Sequence, residues 1–344
     1  MSRLRRMIPR GLKRQVRRIQ HRAQVRAIAR AHAAATPPVP AALLDTALVI
    51  PVHNDANRLA RLLDTARPMG FAQIVVVDDG SDTPVAADDV TLIRHDSAQG
   101  PGPARNAGIE AVTACYLLFL DSDDLPTAEL PALLADLAQD SDFDICLFKH
   151  ADSRVSVAGH WGQPDWDEAF WQAAGLAIGT LQEAPAAVWP LLAQTANYPW
   201  NKIHRTAFLR DQAIRFPDAP VHEDVAPHWL AFAHATRVLT SDRVCVWHAV
   251  ADADRQTNRR GAERLAIFDA VVPVVQTLAD PALRIAFVTF MLGLANWIRG
   301  TLDPAHHPAF EAALTRWLRV TIAEWHADIV ARDPALHARI ADRS

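Results

Sequence analysis

The chain has 344 residues, half of them hydrophobic, which is enough for a large domain with a sizeable core and an appendage. Its net charge of −4 hides an asymmetry, because residues 1–30 carry eleven Lys or Arg and no acid while the rest carries 24 basic against 39 acidic residues. Three scattered cysteines, Cys115, Cys146 and Cys245, lack the paired spacing of a zinc site and read as buried thiols of a reducing compartment.

Residues 3–33 set Leu4, Ile8, Leu12, Val16 and Ile19 among arginines, the pattern of a basic amphipathic helix interrupted at Pro9-Arg10-Gly11. Such a helix suits an anionic membrane surface, at about 1 kcal/mol per basic residue near the lipid. A solvated arm, or a helix packed on a partner, is the plain alternative, and nucleic acid is not expected. The N-terminus lacks the apolar core of a secretion signal, and the run Ile285–Ile298 is short for a bilayer and broken by Thr289 and Asn296. A cytoplasmic protein is expected, peripheral on the cytoplasmic face of the inner membrane where the arm docks.

Residues 37–44 are a Pro-rich linker, and a main domain is expected over 45–250 with a helical region over 251–344. Thr46–Val52 reads as a buried strand, Ala56–Ala66 as a helix, and Phe71–Val77 as a strand ending at Asp78-Asp79-Gly80-Ser81. Val90–Arg94 is a short strand, Pro103–Ala114 a helix, and Tyr116–Leu120 a strand running into Asp121-Ser122-Asp123-Asp124. A helix over Thr127–Leu137 and strands over Phe143–Phe148 and Arg243–Val246 follow, then helices near 262–278, 282–300, 306–327 and 334–341. Strands alternating with helices predict an α/β fold, Rossmann-like, with a doubly wound, mostly parallel sheet and a helical C-terminal extension.

In such a sheet the strand ends face one crevice. The first brings Pro51, His53, Asn54 and Asp55, the second Asp78 and Asp79, the third Asp121, Asp123 and Asp124. One acidic strand end is ordinarily a solvated turn or a helix cap, but three polar ends on one crevice are harder to explain that way. The clustered acids repel unless a cation compensates them, which points to a divalent ion bridging carboxylate and phosphate oxygens. The loop after the first strand reads PVHNDANRL, without the GxGxxG of a dinucleotide site, and a Walker loop is absent, so phosphates would be held by metal and side chains. Further on, His222-Glu223-Asp224 precedes the apolar run Val225–Ala233, and by themselves these acids could simply favour a helix N-terminus.

The ordered segments IPVHNDANRLARLLDTA, IVVVDDGSDT, ARNAGIEAV and LLFLDSDDLP, followed by Trp200–Leu209 and Val221–Val225, resemble the inverting family-2 glycosyltransferases of GT-A fold. The enzymes meant are the bacterial ones that build capsule, exopolysaccharide or lipopolysaccharide glycans, and the resemblance spans about 46–250. It implies transfer from a nucleotide-sugar donor, UDP-linked, to a hydroxyl of a glycan or lipid-linked acceptor, with Mg²⁺ or Mn²⁺. It implies donor contacts from Pro51, His53, Asn54, Asp55, Asp78, Asp79, Arg105, Asp121 and Lys202, with Asp79 near the base of the nucleotide. Asp123 is implied as the direct metal ligand with Asp121 beside it, His248 as a metal-contacting histidine, Asp224 as catalytic base and Glu223 as its neighbour. His53 stands where an aromatic residue is usual, and the absence of a QxxRW motif implies a single addition instead of processive synthesis. The rival classes are a nucleotidyltransferase, which would begin with a glycine- and arginine-rich loop, and a non-catalytic scaffold, which has no need of acids at both Asp123 and Asp224.

Overall fold

The computed structural model describes residues 43–156, 162–177, 179, 181–249 and 259–342; the expected basic helix lies outside the described residues. The described strands are β1 (Thr46–Val52), β2 (Gln73–Asp78), β3 (Thr91–Arg94), β4 (Tyr116–Phe119), β5 (Leu125–Pro126), β6 (Ile145–Asp152), β7 (Leu181–Glu183), β8 (Lys202–Arg205) and β9 (Val238–His248). They form one sheet in the order β3-β2-β1-β4-β8-β6-β9-β5, with β7 also on β9. The pairs β3–β2, β2–β1, β1–β4 and β6–β9 are parallel, whereas β8 is antiparallel to both its neighbours, and β5 and β7 run antiparallel to β9.

The central strands are buried on both faces, so their sequences read as continuous apolar runs. Leu48, Ile50 and Val52 of β1 face helices α1 (Ala56–Ala66) and α3 (Glu129–Leu137). On α1 the core contacts Leu59, Leu62, Leu63 and Ala66 fall on one helical stripe. The alternate residues Ala47 and Val49 face α2 (Pro101–Ala111), α5 (Thr206–Asp211), α6 (Val225–His234) and the C-terminal helices. Helix α4 (Asp165–Ala173) joins this layer through Trp171.

Gly108 is what lets α2 lie so close to the sheet. A Cβ there would stand 2.3 Å from Cγ1 of Val49, a stiff β-branched side chain that is itself fully buried. Gly108→Ala is therefore expected to destabilise, since overpacking of about 1–3 kcal/mol outweighs the roughly 1 kcal/mol gained in helix propensity. An unchanged or raised melting temperature would contradict this.

Helices α7 (Pro281–Thr301), α8 (His307–Arg316), α9 (His326–Arg332) and α10 (Pro334–Ala341) extend the second layer. Asp280 caps α7 by accepting from Ala282 N, and Pro281 occupies its first turn, where no N–H is needed. Trp229 of α6 meets Phe287 and Phe290 of α7 with ring centroids 4.9 and 5.5 Å apart, so the helical region shares a core with the sheet. By length and composition α7 alone among the described residues could cross a membrane, being longer than the run Ile285–Ile298; its stripe of Leu283, Phe287, Met291, Leu292 and Ile298 is buried in that core.

Two expected helices are interrupted. The segment 262–278 breaks at Val271, because Pro273 has no N–H to continue the helix onto the Asp269 carbonyl and its ring crowds that carbonyl. The segment 306–327 widens into a π turn at Trp317–Thr321, which buries Trp317 and Leu318 together. His326 Nε2 then donates to the Leu318 carbonyl at 2.7 Å. Cys146 and Cys245 are buried as expected, but Cys115 is exposed, because it occupies the bend before β4, where its N–H donates to Asp45 Oδ2.

Candidate active site

From β1 the chain winds to β2 and β3 on one side and then returns to β4 on the other, so a topological switch point lies between the C-terminal ends of β1 and β4. The loops 53–55, 79–81 and 120–124 meet there.

On the β2 side, Asp78 is fully buried. Burial alone would raise its pKa, but hydrogen bonds from Ser81 and Val85 N and the ion pair with Arg94 hold it below the usual carboxylate value. The Asp79 carboxylate accepts from His95 Nδ1 at 2.8 Å, Gln99 N at 2.9 Å and Gly100 N at 2.7 Å. Both acids thus spend acceptor positions on the segment 81–100. Gly80, at φ +66, packs directly on the backbone of Ser97 and Ala98, an approach closed to any residue with a Cβ. Above them Pro51 is buried in β1, while His53 and Asn54 are exposed. His53 bonds to the Asp79 carbonyl at 2.8 Å, and Asn54, at φ +54, accepts from Asp82 N and donates its own N–H to Ser81 Oγ.

Ligand oxygens of Asp121, Asp123 and Asp124 lie within 4.8 Å of one another. Each acid also meets a cationic or ionisable partner. Arg105 Nη2 reaches Asp121 Oδ1 at 2.7 Å, Arg58 Nη1 lies 3.8 Å from Asp123 Oδ2, and His248 Nδ1 is 2.6 Å from Asp124 Oδ1. The last contact follows from strand register: Leu125 of β5 pairs with Trp247 of β9, which sets Asp124 opposite His248. His248 is further held by stacking on Trp200 at 4.7 Å. Ser122 Oγ donates to Asp55 Oδ2 at 2.8 Å, tying the first loop to the acidic one.

Arg105, 3 % exposed, joins the two halves of the site. Its Nη2 binds Asp121 and its Nη1 binds Glu223 Oε1 at 2.9 Å, while the guanidinium lies 5.3 Å from the Phe216 ring centroid. The adjacent Asn106 makes two bonds to the Phe216 backbone, so the ARN segment pins the stretch leading into Glu223 and Asp224. Asp224 heads α6 and is partly accessible at its surface. Its pKa is raised, first by burial and next by the charge of Glu223, against the opposing pull of Arg105 and Lys202. Lys202, buried at the start of β8, donates to the Tyr198 carbonyl and to Asn201 Oδ1; burial lowers its pKa to about 7. The pairing Leu118–Ile203 brings it to the end of β4.

Sequence reading missed Arg58, Ser122, His95 and Arg94. Arg58 had one signal, its place three residues after Asp55, the residue that precedes the helix. The other three showed none, since each contact depends on which loops the sheet brings together.

Residues 47–179 match the family model described as "Glycosyl transferase family 2". Over 89 residues the chain is 40% identical to the pre-mycofactocin glycosyltransferase of Mycobacterium tuberculosis, covering 24% of this chain and 18% of that protein. Over 97 residues it is 39% identical to the succinoglycan biosynthesis protein ExoO of Rhizobium meliloti, covering 26% of this chain and 28% of that protein. The chain therefore spans less than a third of the length of these curated relatives. The crystal structure of S. aureus TarS 1–349 in complex with UDP-GlcNAc superposes with a TM-score of 0.64 at 19% identity, over 87% of this chain and 89% of that one, a likeness of fold.

Proposed function

We propose that this chain, whose residues 47–179 match glycosyl transferase family 2, transfers a sugar, with inversion, from a UDP-linked donor to a hydroxyl of a surface glycan or its lipid-linked precursor. The observation that carries this reading is the Arg105 bridge, which ties the acidic strand end at Asp121 to Glu223, the neighbour of Asp224. Inverting transfer needs those two functions on opposite sides of one sugar.

In a single displacement the acceptor oxygen bonds to the anomeric carbon, its proton passes to the Asp224 carboxylate, and the bond from that carbon to the diphosphate breaks on the far face. Lys202 and Arg105 favour the ionised form of Asp224 that accepts the proton. Arg105 stands between the charged ends and holds Asp121 in place. The loops Pro51–Asp55 and Asp78–Ser81 would meet the base and ribose, through His53, Asn54 and backbone groups more than through the occupied carboxylates of Asp78 and Asp79.

Three carboxylates converging within 4.8 Å are a hard oxygen donor set that fits Mg²⁺ or Mn²⁺. Asp123 and Asp121 would hold the ion, with His248 setting the third acid, Asp124. When bound, such an ion would neutralise charge gathering on the departing diphosphate. The basic arm at 3–33 would keep the domain at anionic lipid near a lipid-linked acceptor, and its deletion should then release the protein from membranes.

The reading is tested by thermal stabilisation with a panel of nucleotide sugars, with and without Mn²⁺. A donor at a hundred times its Kd contributes about 2.7 kcal/mol to the native state. The UDP sugars should raise the melting temperature, and Asp123→Ala should lose the Mn²⁺-dependent part. Absence of any shift across the panel would overturn the proposal.

A further inference from the structure

The loop that carries Glu223 and Asp224 begins at a residue in a costly conformation. His222 has φ +63, in the left-handed region, where a residue with a Cβ stays only when its surroundings hold it. What holds it comes from the helical C-terminal region. Arg264 Nη1 donates to His222 Nε2 at 3.1 Å, and Arg264 is itself fully buried, with its Nε donating to the Arg259 carbonyl at 2.7 Å. The guanidinium lies over the indole of Trp297 on α7, 4.6 Å from its centroid, and that indole meets the His222 ring edge-on at 6.0 Å. Burial, and then the adjacent Arg264, push the His222 pKa down to about 3, so the ring stays neutral and its Nε2 stays an acceptor.

Three side chains from three separate segments therefore close a triangle on one backbone torsion. We propose that the His222–Arg264–Trp297 triangle aims the loop bearing Asp224 into the crevice, which makes Arg264 a positioning residue and gives the helical region a part in the reaction. The inference rests on the reading of Asp224 as base. The connection is short: the His222 carbonyl accepts from Val225 N at 3.3 Å, and Asp224 lies between them at the head of α6. Were φ at His222 to relax to a negative value, the next peptide would turn over. Glu223 would then leave Arg105, and Asp224 would leave the face where an acceptor hydroxyl must arrive.

The test compares kcat, donor KM and donor-induced thermal stabilisation for the full chain and its variants. Misplacing a reacting group by about 1 Å can cost about a hundredfold, so Arg264→Met should lower kcat by about tenfold or more, with donor KM and stabilisation by UDP-sugar plus Mn²⁺ unchanged within about twofold. Arg264→Lys, which keeps a donor and a cation over the indole, should recover part of the loss. Should the buried Arg264→Met fail to fold, two gentler variants carry the test. Trp297 is half-exposed, so Trp297→Ala should fold and still lower kcat severalfold. His222→Gly enters the left-handed region without cost but loses the clamp, and should lower kcat as Arg264→Met does. Parent-like kcat in folded His222→Gly and Trp297→Ala would overturn the inference while leaving the transferase reading standing. A parent chain that transfers no sugar from any nucleotide donor would overturn both.

Discussion

Asp224→Asn should abolish transfer while leaving donor binding intact. Asn keeps the size and position of the side chain but takes up no proton, so kcat is expected to fall by about 10²–10⁴, the usual worth of a positioned base. Donor stabilisation with Mn²⁺ should match the parent, because the acids that would hold the ion come from the other wall of the crevice. The pH profile adds a second check. A base must be ionised, and the Asp224 pKa is raised by burial and by Glu223, so activity should be present above the raised pKa and lost as pH falls through it. The acid limb of kcat/KM should therefore lie above the ordinary carboxylate range. Glu223→Gln removes the like charge and should move that limb to lower pH. An Asp224→Asn enzyme with parent-like kcat would remove Asp224 from the mechanism.

Arg105→Met should be the most damaging single change to both stability and function. The guanidinium is buried and holds two carboxylates in a fork, and removing it strands Glu223, whose side chain is 10% exposed, without its cation. Breaking a buried pair from one side costs about 3–5 kcal/mol, which lowers the melting temperature on the order of 10 °C in a domain of this size. In the protein that remains folded, Asp121 loses the bond that orients it, and donor affinity should weaken. Losing Arg105 also removes a charge that favours ionised Asp224, so the acid limb should move to higher pH, opposite to Glu223→Gln. Arg105→Lys keeps the charge but not the planar fork and should fall between the two. A variant as stable as the parent, with the same donor affinity, would show that the bridge is incidental.

Local pattern was enough for the mostly parallel sheet and the acidic strand ends, because a strand buried on both faces must be apolar throughout and its polar end must then leave the sheet. The bounds of β1, α1 and α7 follow from the same logic, with Ala56–Ala66 as expected and α7 within a residue of the expected ends. Where the reading fell short, contacts distant in sequence decided. The segment 306–327 has a helical pattern throughout, yet it widens into a π turn where Trp317 and Leu318 are both buried in the core. Cys115 stands just before an apolar strand, but the bend between α2 and β4 turns it outward.

The amino-acid sequence by itself determined the fold class and the residue types that line the crevice, since periodicity and motif order are properties of neighbouring residues. It could not say how those residues share their charges. That Asp78 and Asp79 turn their carboxylates to the segment 81–100, where Gly80 packs on Ser97 and Ala98, was settled by the packing of β3 and its flanking loops beside β2. That Asp124 faces His248 was settled by the register of β5 on β9. That one arginine serves both Asp121 and Glu223, and that Arg264 holds His222, was settled when segments tens to more than a hundred residues apart were packed together. Such pairings carry no local signature, because the energy of an ion pair depends on distance and burial in three dimensions and not on separation along the chain.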